Sequence, residues 1–131
     1  MQPLFEFTNN VNHRVIFIKE HVFDSVKTSF INRLNDTFHK VFIDLSESEL
    51  IELFKYKSKY YKLNHMEKDV LIVSDFWEYP KPLQTRMVCN ARHYNIVCLI
   101  CLPFKHRSLP PVIMHNTDLI INQITDISIL L

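Results

Sequence analysis

Lys27 and Thr28, side by side, are the residues of this chain whose types and spacing point most directly to chemistry. The eight residues from His21 to Thr28 lie on the template G-x-x-x-x-G-K-[ST], with His21 and Val26 where the template has glycine. In a working phosphate loop, converging backbone N–H groups cradle the phosphates. The Lys reaches the β- and γ-phosphates, and the hydroxyl binds Mg²⁺. Lys27 and Thr28 are therefore the candidate nucleotide-binding residues, with ATP and Mg²⁺ expected only if this loop still functions. Two features count against it: a β-branched residue such as Val26 is poorly suited to positive φ, and a Lys-Thr pair at a helix start also arises by chance. Asp75, after an apolar run at residues 69–73, is a strand-end carboxylate of the kind any α/β domain carries.

The elements that must position these groups follow from the hydrophobic pattern. Residues 15–18 form a β-branched and aromatic run, the signature of a strand buried on both faces. Asp24 or Ser25 can cap a helix opening at Lys27-Thr28, with Val26, Phe30, Ile31 and Leu34 at helical spacing. Asn35-Asp36 ends it. Residues 41–45 are a second apolar run. Ser46 and Glu49 then give the capping-box pattern S-x-x-E, with Leu50, Leu53 and Phe54 on one helical face.

That helix runs into a basic, tyrosine-rich segment carrying Lys55, Lys57, Lys59 and Lys62 among Tyr56, Tyr60 and Tyr61. It reads either as a solvated face whose stems and rings cover the sheet or as a surface for nucleic-acid phosphates. Residues 69–73 predict a third strand, 77–82 a rigid connection, and 83–94 a helix with Met87, Ala91 and Tyr94 on one side. Residues 96–102 predict a fourth strand, followed by a basic loop holding Lys105 and Arg107. Pro110-Pro111 places proline in the first turn of a short helix, and residues 119–121 make a fifth strand. The apolar tail to Leu131 is a last element or a partner surface. Strand runs alternating with helical connections predict an α/β domain with a mainly parallel five-stranded sheet covered on both faces.

Composition narrows the function classes. At 131 residues, 47% hydrophobic and with ten Phe, the chain holds one domain with a substantial core. Fifteen basic and 14 acidic residues leave a net charge of +1, so any nucleic-acid contact must be a local patch: Lys55, Lys57, Lys59, Lys62, Lys105 and Arg107. The chain has no glycine, where average usage would give about nine. Turns must use Asn, Asp, Pro or His instead, and any tight phosphate-wrapping loop loses its usual residue. Cys98 and Cys101 have C-x-x-C spacing inside an apolar run and read as strand residues facing opposite sides rather than as metal or redox ligands. The seven histidines show no paired spacing, so no metal site is expected. The N-terminus lacks the pattern of a signal peptide, and the run from residue 96 to 103 is too short to span a bilayer. An intracellular protein without a membrane partner is the expectation.

Residues 90–103, with Asn90, Arg92, His93, Tyr94 and Asn95 feeding an apolar strand, and residues 109–121, with Pro110-Pro111 and Asn116-Thr117-Asp118, together resemble the FtsK/HerA-type genome-packaging ATPases of large DNA viruses, poxviruses among them. The ordered match covers roughly residues 14–122, with 15–28 at the Walker A position and 69–75 at Walker B, which implies Asp75 as the candidate catalytic residue, the remaining acid able to polarise a water. The resemblance implies a three-layer P-loop NTPase-like core with strand order 5-1-4-3-2. This sequence departs from that family's pattern at His21 and Val26, at Ser74 where the first Walker B acid belongs, and at Leu102-Pro103 where a polar sensor belongs. Arg86, Arg92 and Arg107 lie near where subunit-facing arginines occur, without matching a motif position. The implied reading is a degenerate packaging-ATPase-like viral protein, noncatalytic, working through DNA, an active packaging ATPase or a capsid component, as an oligomer or not, in host cytoplasm or virion. Two alternatives stand beside it. One is a weakly active ATPase needing partner subunits. The other is a small α/β virus–host interaction protein using Tyr56, Tyr60, Tyr61 and the tail.

Overall fold

A computed structural model describes residues 14–31, 40–60, 69–106 and 108–122. Five strands form one sheet: β1 (Val15–Lys19), β2 (Val41–Ile43), β3 (Asp69–Val73), β4 (Ile96–Leu102) and β5 (Leu119–Ile121). All four pairings are parallel and the spatial order is β2-β3-β4-β1-β5. This is the 5-1-4-3-2 order read from the opposite edge. Parallel neighbours require crossovers, which the helices supply: α1 (Glu20–Ile31), α2 (Glu47–Tyr60), α3 (Lys81–Asn90) and α4 (Pro111–Asn116). The chain thus has an α/β core whose parallel sheet is covered on both faces.

Side-chain alternation along the strands builds two cores. Val15, Phe17, Leu71, Val73, Cys98 and Ile100 face one side, where α2, α3 and α4 pack through Leu50, Phe54, Met87 and Ile113. Ile16, Ile18, Val70, Ile72, Leu99 and Cys101 face the other, covered by Val22, Phe23 and Val26 of α1. The C-x-x-C cysteines do face opposite sides of the sheet, and burial raises both thiol pKa values, to about 12 for Cys98 and about 11 for Cys101.

Several local expectations hold at the atomic level. Ser46 Oγ accepts the Glu49 N–H at 3.2 Å and Glu49 Oε1 accepts the Ser46 N–H at 2.9 Å, a reciprocal capping box. Pro111 occupies the first turn of α4. The helix expected over 83–94 instead spans Lys81–Asn90, because Pro80 and Pro82 seat its N-terminus and residues 91–95 turn into β4. That turn closes through Asn95, whose φ of 54° is the left-handed conformation a glycine-free chain assigns to Asn. The expected end of α1 at Asn35-Asp36 and the apolar tail from residue 123 lie outside the described residues.

Candidate functional site at the carboxyl ends of the strands

In an open parallel sheet, ligands bind beyond the carboxyl ends of the strands, where successive connections leave in opposite directions. Here that point lies between β1, which crosses toward β2, and β4, which crosses toward β5. A phosphate loop would have to sit there, between β1 and α1.

No loop separates them. β1 ends at Lys19 and α1 starts at Glu20, so residues 20–31 are helical and the expected helix start at Lys27-Thr28 is corrected to Glu20. The reason lies in the sequence. Val22, Phe23 and Val26 fall on one helical face and bury against the sheet, and Glu20 places an acid in the first turn. From Asp24 onward, the amides that a phosphate cradle would need are the ones a helix spends on its own i−4 carbonyls. Without glycine there is also nothing to take the loop's backbone conformation. Lys27 and Thr28 therefore sit well inside α1, and Thr28 is exposed.

Lys27 has an internal partner. Its Nζ lies 3.2 Å from Asp44 Oδ2 and 3.4 Å from Ser74 Oγ. Asp44 follows β2 in a left-handed conformation, φ 50°, and its Oδ1 accepts the Ser74 N–H at 2.7 Å. The Ser74 hydroxyl reaches Asp44 Oδ2 at 3.0 Å. Burial acts to raise the Asp44 pKa, but the Ser74 N–H, the Lys27 ammonium and the Ser74 hydroxyl together hold it below the ordinary carboxylate value. Lys27, Asp44 and Ser74 thus close a hydrogen-bonded knot linking α1 to the ends of β2 and β3. Ser74 thus has a structural role: its hydroxyl and amide anchor a carboxylate from the end of the neighbouring strand.

The crevice between β1 and β4 is bridged as well. Glu20 Oε2 accepts the Phe104 N–H at 3.4 Å, and the His21 ring stacks on Phe104 with centroids 5.8 Å apart. His21, at a template glycine position, is thus a contact to the loop after β4. Asp75 is exposed and opens a short 3₁₀ turn at Phe76–Glu78 without a side-chain cap bond. Among the described residues, no group of three or more His, Cys, Asp or Glu side chains is arranged to hold a metal ion. The residues at the Walker positions do not fit a nucleotide with its metal: the cradle is a helix, the lysine is engaged, and a serine stands at the metal-side acid.

The basic residues divide. Lys55 and Lys59 are exposed on α2, and Lys55 lies 3.5 Å from Glu52. Lys57 is withdrawn from the set, because it turns inward, is 3% exposed and pairs with buried Asp69 at 2.7 Å. A charge enclosed in that way cannot meet a phosphate. Lys105 is exposed in the loop after β4, while Lys62 and Arg107 lie outside the described residues. Tyr56 is exposed, and the side chains of Tyr60 and Tyr61 lie outside the described set.

Among the described residues, Arg92 and Arg86 have structural partners. Arg92 pairs with Asp118, whose Oδ2 also accepts the Arg14 and Val15 amides at 2.6 and 2.9 Å. Arg86 lies over the Phe54 ring at 5.3 Å. Asp44 and Asp118 were not singled out by sequence reasoning. A strand-end Asp in a chain without glycine was the available signal for Asp44, since Asp tolerates positive φ.

Among the described residues no helix is long and apolar enough to cross a membrane. No family pattern matches the chain, and no characterised protein matches it in sequence. The solved structure of C. elegans PCH-2 is similar with a TM-score of 0.51 and 13% identity, over 91% of this chain and 39% of that one. At that identity the similarity is one of fold, and this chain spans well under half of that protein's length.

Proposed function

We propose that this chain is a noncatalytic P-loop NTPase-like domain that works by binding a partner. The observation that carries the reading is the replacement of the phosphate loop by α1, with Lys27 held against Asp44 and Ser74. A phosphate approaching Lys27 would have to break that knot and would meet no converging amides. The resemblance to genome-packaging ATPases suggests the partner classes: an active packaging ATPase subunit, a capsid component, or DNA through Lys55, Lys59 and Lys105.

Isothermal titration with ATP and Mg²⁺, together with a phosphate-release assay, tests the reading. No binding at micromolar nucleotide and no turnover are expected for the wild type. Micromolar binding with turnover that Lys27→Ala abolishes would overturn the proposal. DNA contact through the remaining lysines would give affinity that falls steeply with salt.

A further inference from the structure

A groove of about 800 Å³ opens between the turn after β3 with the start of α3 on one side and the residues entering α4 on the other. Its walls include two aromatic rings, Trp77 and Tyr79, three prolines, Pro80, Pro110 and Pro111, and the aliphatic Ile113. It lies apart from Lys27 and Asp44, which do not line it.

Two properties of the walls select an occupant. First, the main chain of Tyr79, Pro80 and Pro110 is already engaged. The Tyr79 N–H is bonded to the Phe76 carbonyl, and the Tyr79 carbonyl accepts Gln84 Nε2 at 2.8 Å. The Pro80 carbonyl accepts the Leu83 and Gln84 amides, the Pro110 carbonyl accepts the Met114 amide, and the three prolines have no N–H. A ligand seeking to add a β-strand would find no ladder. A polyproline-type segment needs none, because its backbone makes no internal hydrogen bonds and it docks through rings and apolar ridges on aromatic-lined grooves. Second, the charge is one-sided. Among the described lining residues Lys81 carries the fixed charge and none is a carboxylate. Lys81 is exposed on the rim, where it meets a negative charge at the end of a ligand more readily than a positive one.

We infer that this groove receives a short proline-rich segment of a partner protein, with an acidic residue beside Lys81. The inference rests on the partner-binding reading above and names the chemistry of that partner, while its test does not depend on nucleotide. Trp77 is the chain's one tryptophan, so its emission reports the groove directly.

Three peptides serve as probes, titrated into the full chain: acetyl-PPLPPDD, the same peptide ending in two lysines, and acetyl-AALAADD. The acidic proline peptide is expected to give a saturable Trp77 response, the lysine version a weaker one, and the alanine version none that saturates. Lys81→Glu should weaken the acidic peptide by about two- to fivefold, the range for an exposed ion pair, and strengthen the lysine one. Val112→Asp, on the exposed rim of the groove, should weaken both proline peptides, with an unchanged circular dichroism spectrum showing that it folds. Absence of a saturable response, equal binding of the alanine peptide, or indifference to Lys81→Glu would each overturn the inference. Each would leave the noncatalytic reading standing, because that reading fails only if ATP·Mg²⁺ binds and turns over.

Discussion

Removing the ammonium of Lys57 should destabilise the protein severely, and removing its partner as well should restore most of the loss. Lys57 Nζ and Asp69 Oδ2 are 2.7 Å apart and both side chains are 4% exposed. At that separation and an effective dielectric near 20 the attraction is about 6 kcal/mol. Desolvating two ions costs several kcal/mol each, so the pair's net contribution is close to nil. The asymmetry appears when one partner goes. Lys57→Met leaves a buried carboxylate uncompensated, a loss of about 3–5 kcal/mol at neutral pH, against a typical total of roughly 5–15 kcal/mol for a domain. Asp69 Oδ1 already has no hydrogen-bond partner among the described residues, which leaves Asp69 poorly served once Lys57 is gone. Lys57→Met with Asp69→Leu should return to within about 1 kcal/mol of wild type or exceed it. Urea unfolding followed by Trp77 emission at pH 7 measures all three proteins. A single variant within about 0.5 kcal/mol of wild type, or a double variant as unstable as the single, would refute the reasoning and return Lys57 to the solvent-facing lysines.

Further outcomes follow from the same geometry. Ser46→Ala should cost about 1 kcal/mol through loss of the capping box, read by urea unfolding. The Asp44 pKa is depressed, so the Lys27–Asp44–Ser74 knot should contribute fully above the ordinary Asp value near 3.9. That contribution should fade as pH drops through the depressed value, and Asp44→Asn should remove this acid-range slope from the stability profile. Cys98 and Cys101, buried with raised pKa values, should resist alkylation in the native state, while half-buried Cys89 reacts first. Mass spectrometry after timed iodoacetamide exposure resolves the order.

Much of this architecture was legible in the residues. The limits of β3, β4 and β5 coincide with apolar runs, because a strand buried on both faces leaves an unbroken hydrophobic string that ends where polar or proline residues begin. The parallel order was legible only through the resemblance, since periodicity does not carry strand adjacency. The start of α1 was misplaced because a template with its Lys and Thr in register suggested a loop, whereas Val22, Phe23 and Val26 specify a helical stripe across the same residues. The missing glycines were the correct warning, and their consequence is a helix rather than a strained loop. Lys57 was grouped with its neighbours because its sequence context is uniformly basic. Its burial follows from helical phase, one turn beyond Leu53 and Phe54 on the inward face, with Asp69 waiting at the start of β3. The pairing of Lys27 with Asp44 joins positions 17 residues apart across two elements, and no local pattern encodes it.

Residues 20–28 form a helix where a nucleotide-binding core keeps its phosphate loop. An amide-resolved NMR titration of the chain with ATP and Mg²⁺ distinguishes the two. Helical carbon shifts are expected through this segment, with slow hydrogen exchange at the amides of Asp24 to Thr28 and no saturable movement of any of them. A saturable shift of the amides between His21 and Thr28 at micromolar ATP, with loss of their helical signature, would contradict it.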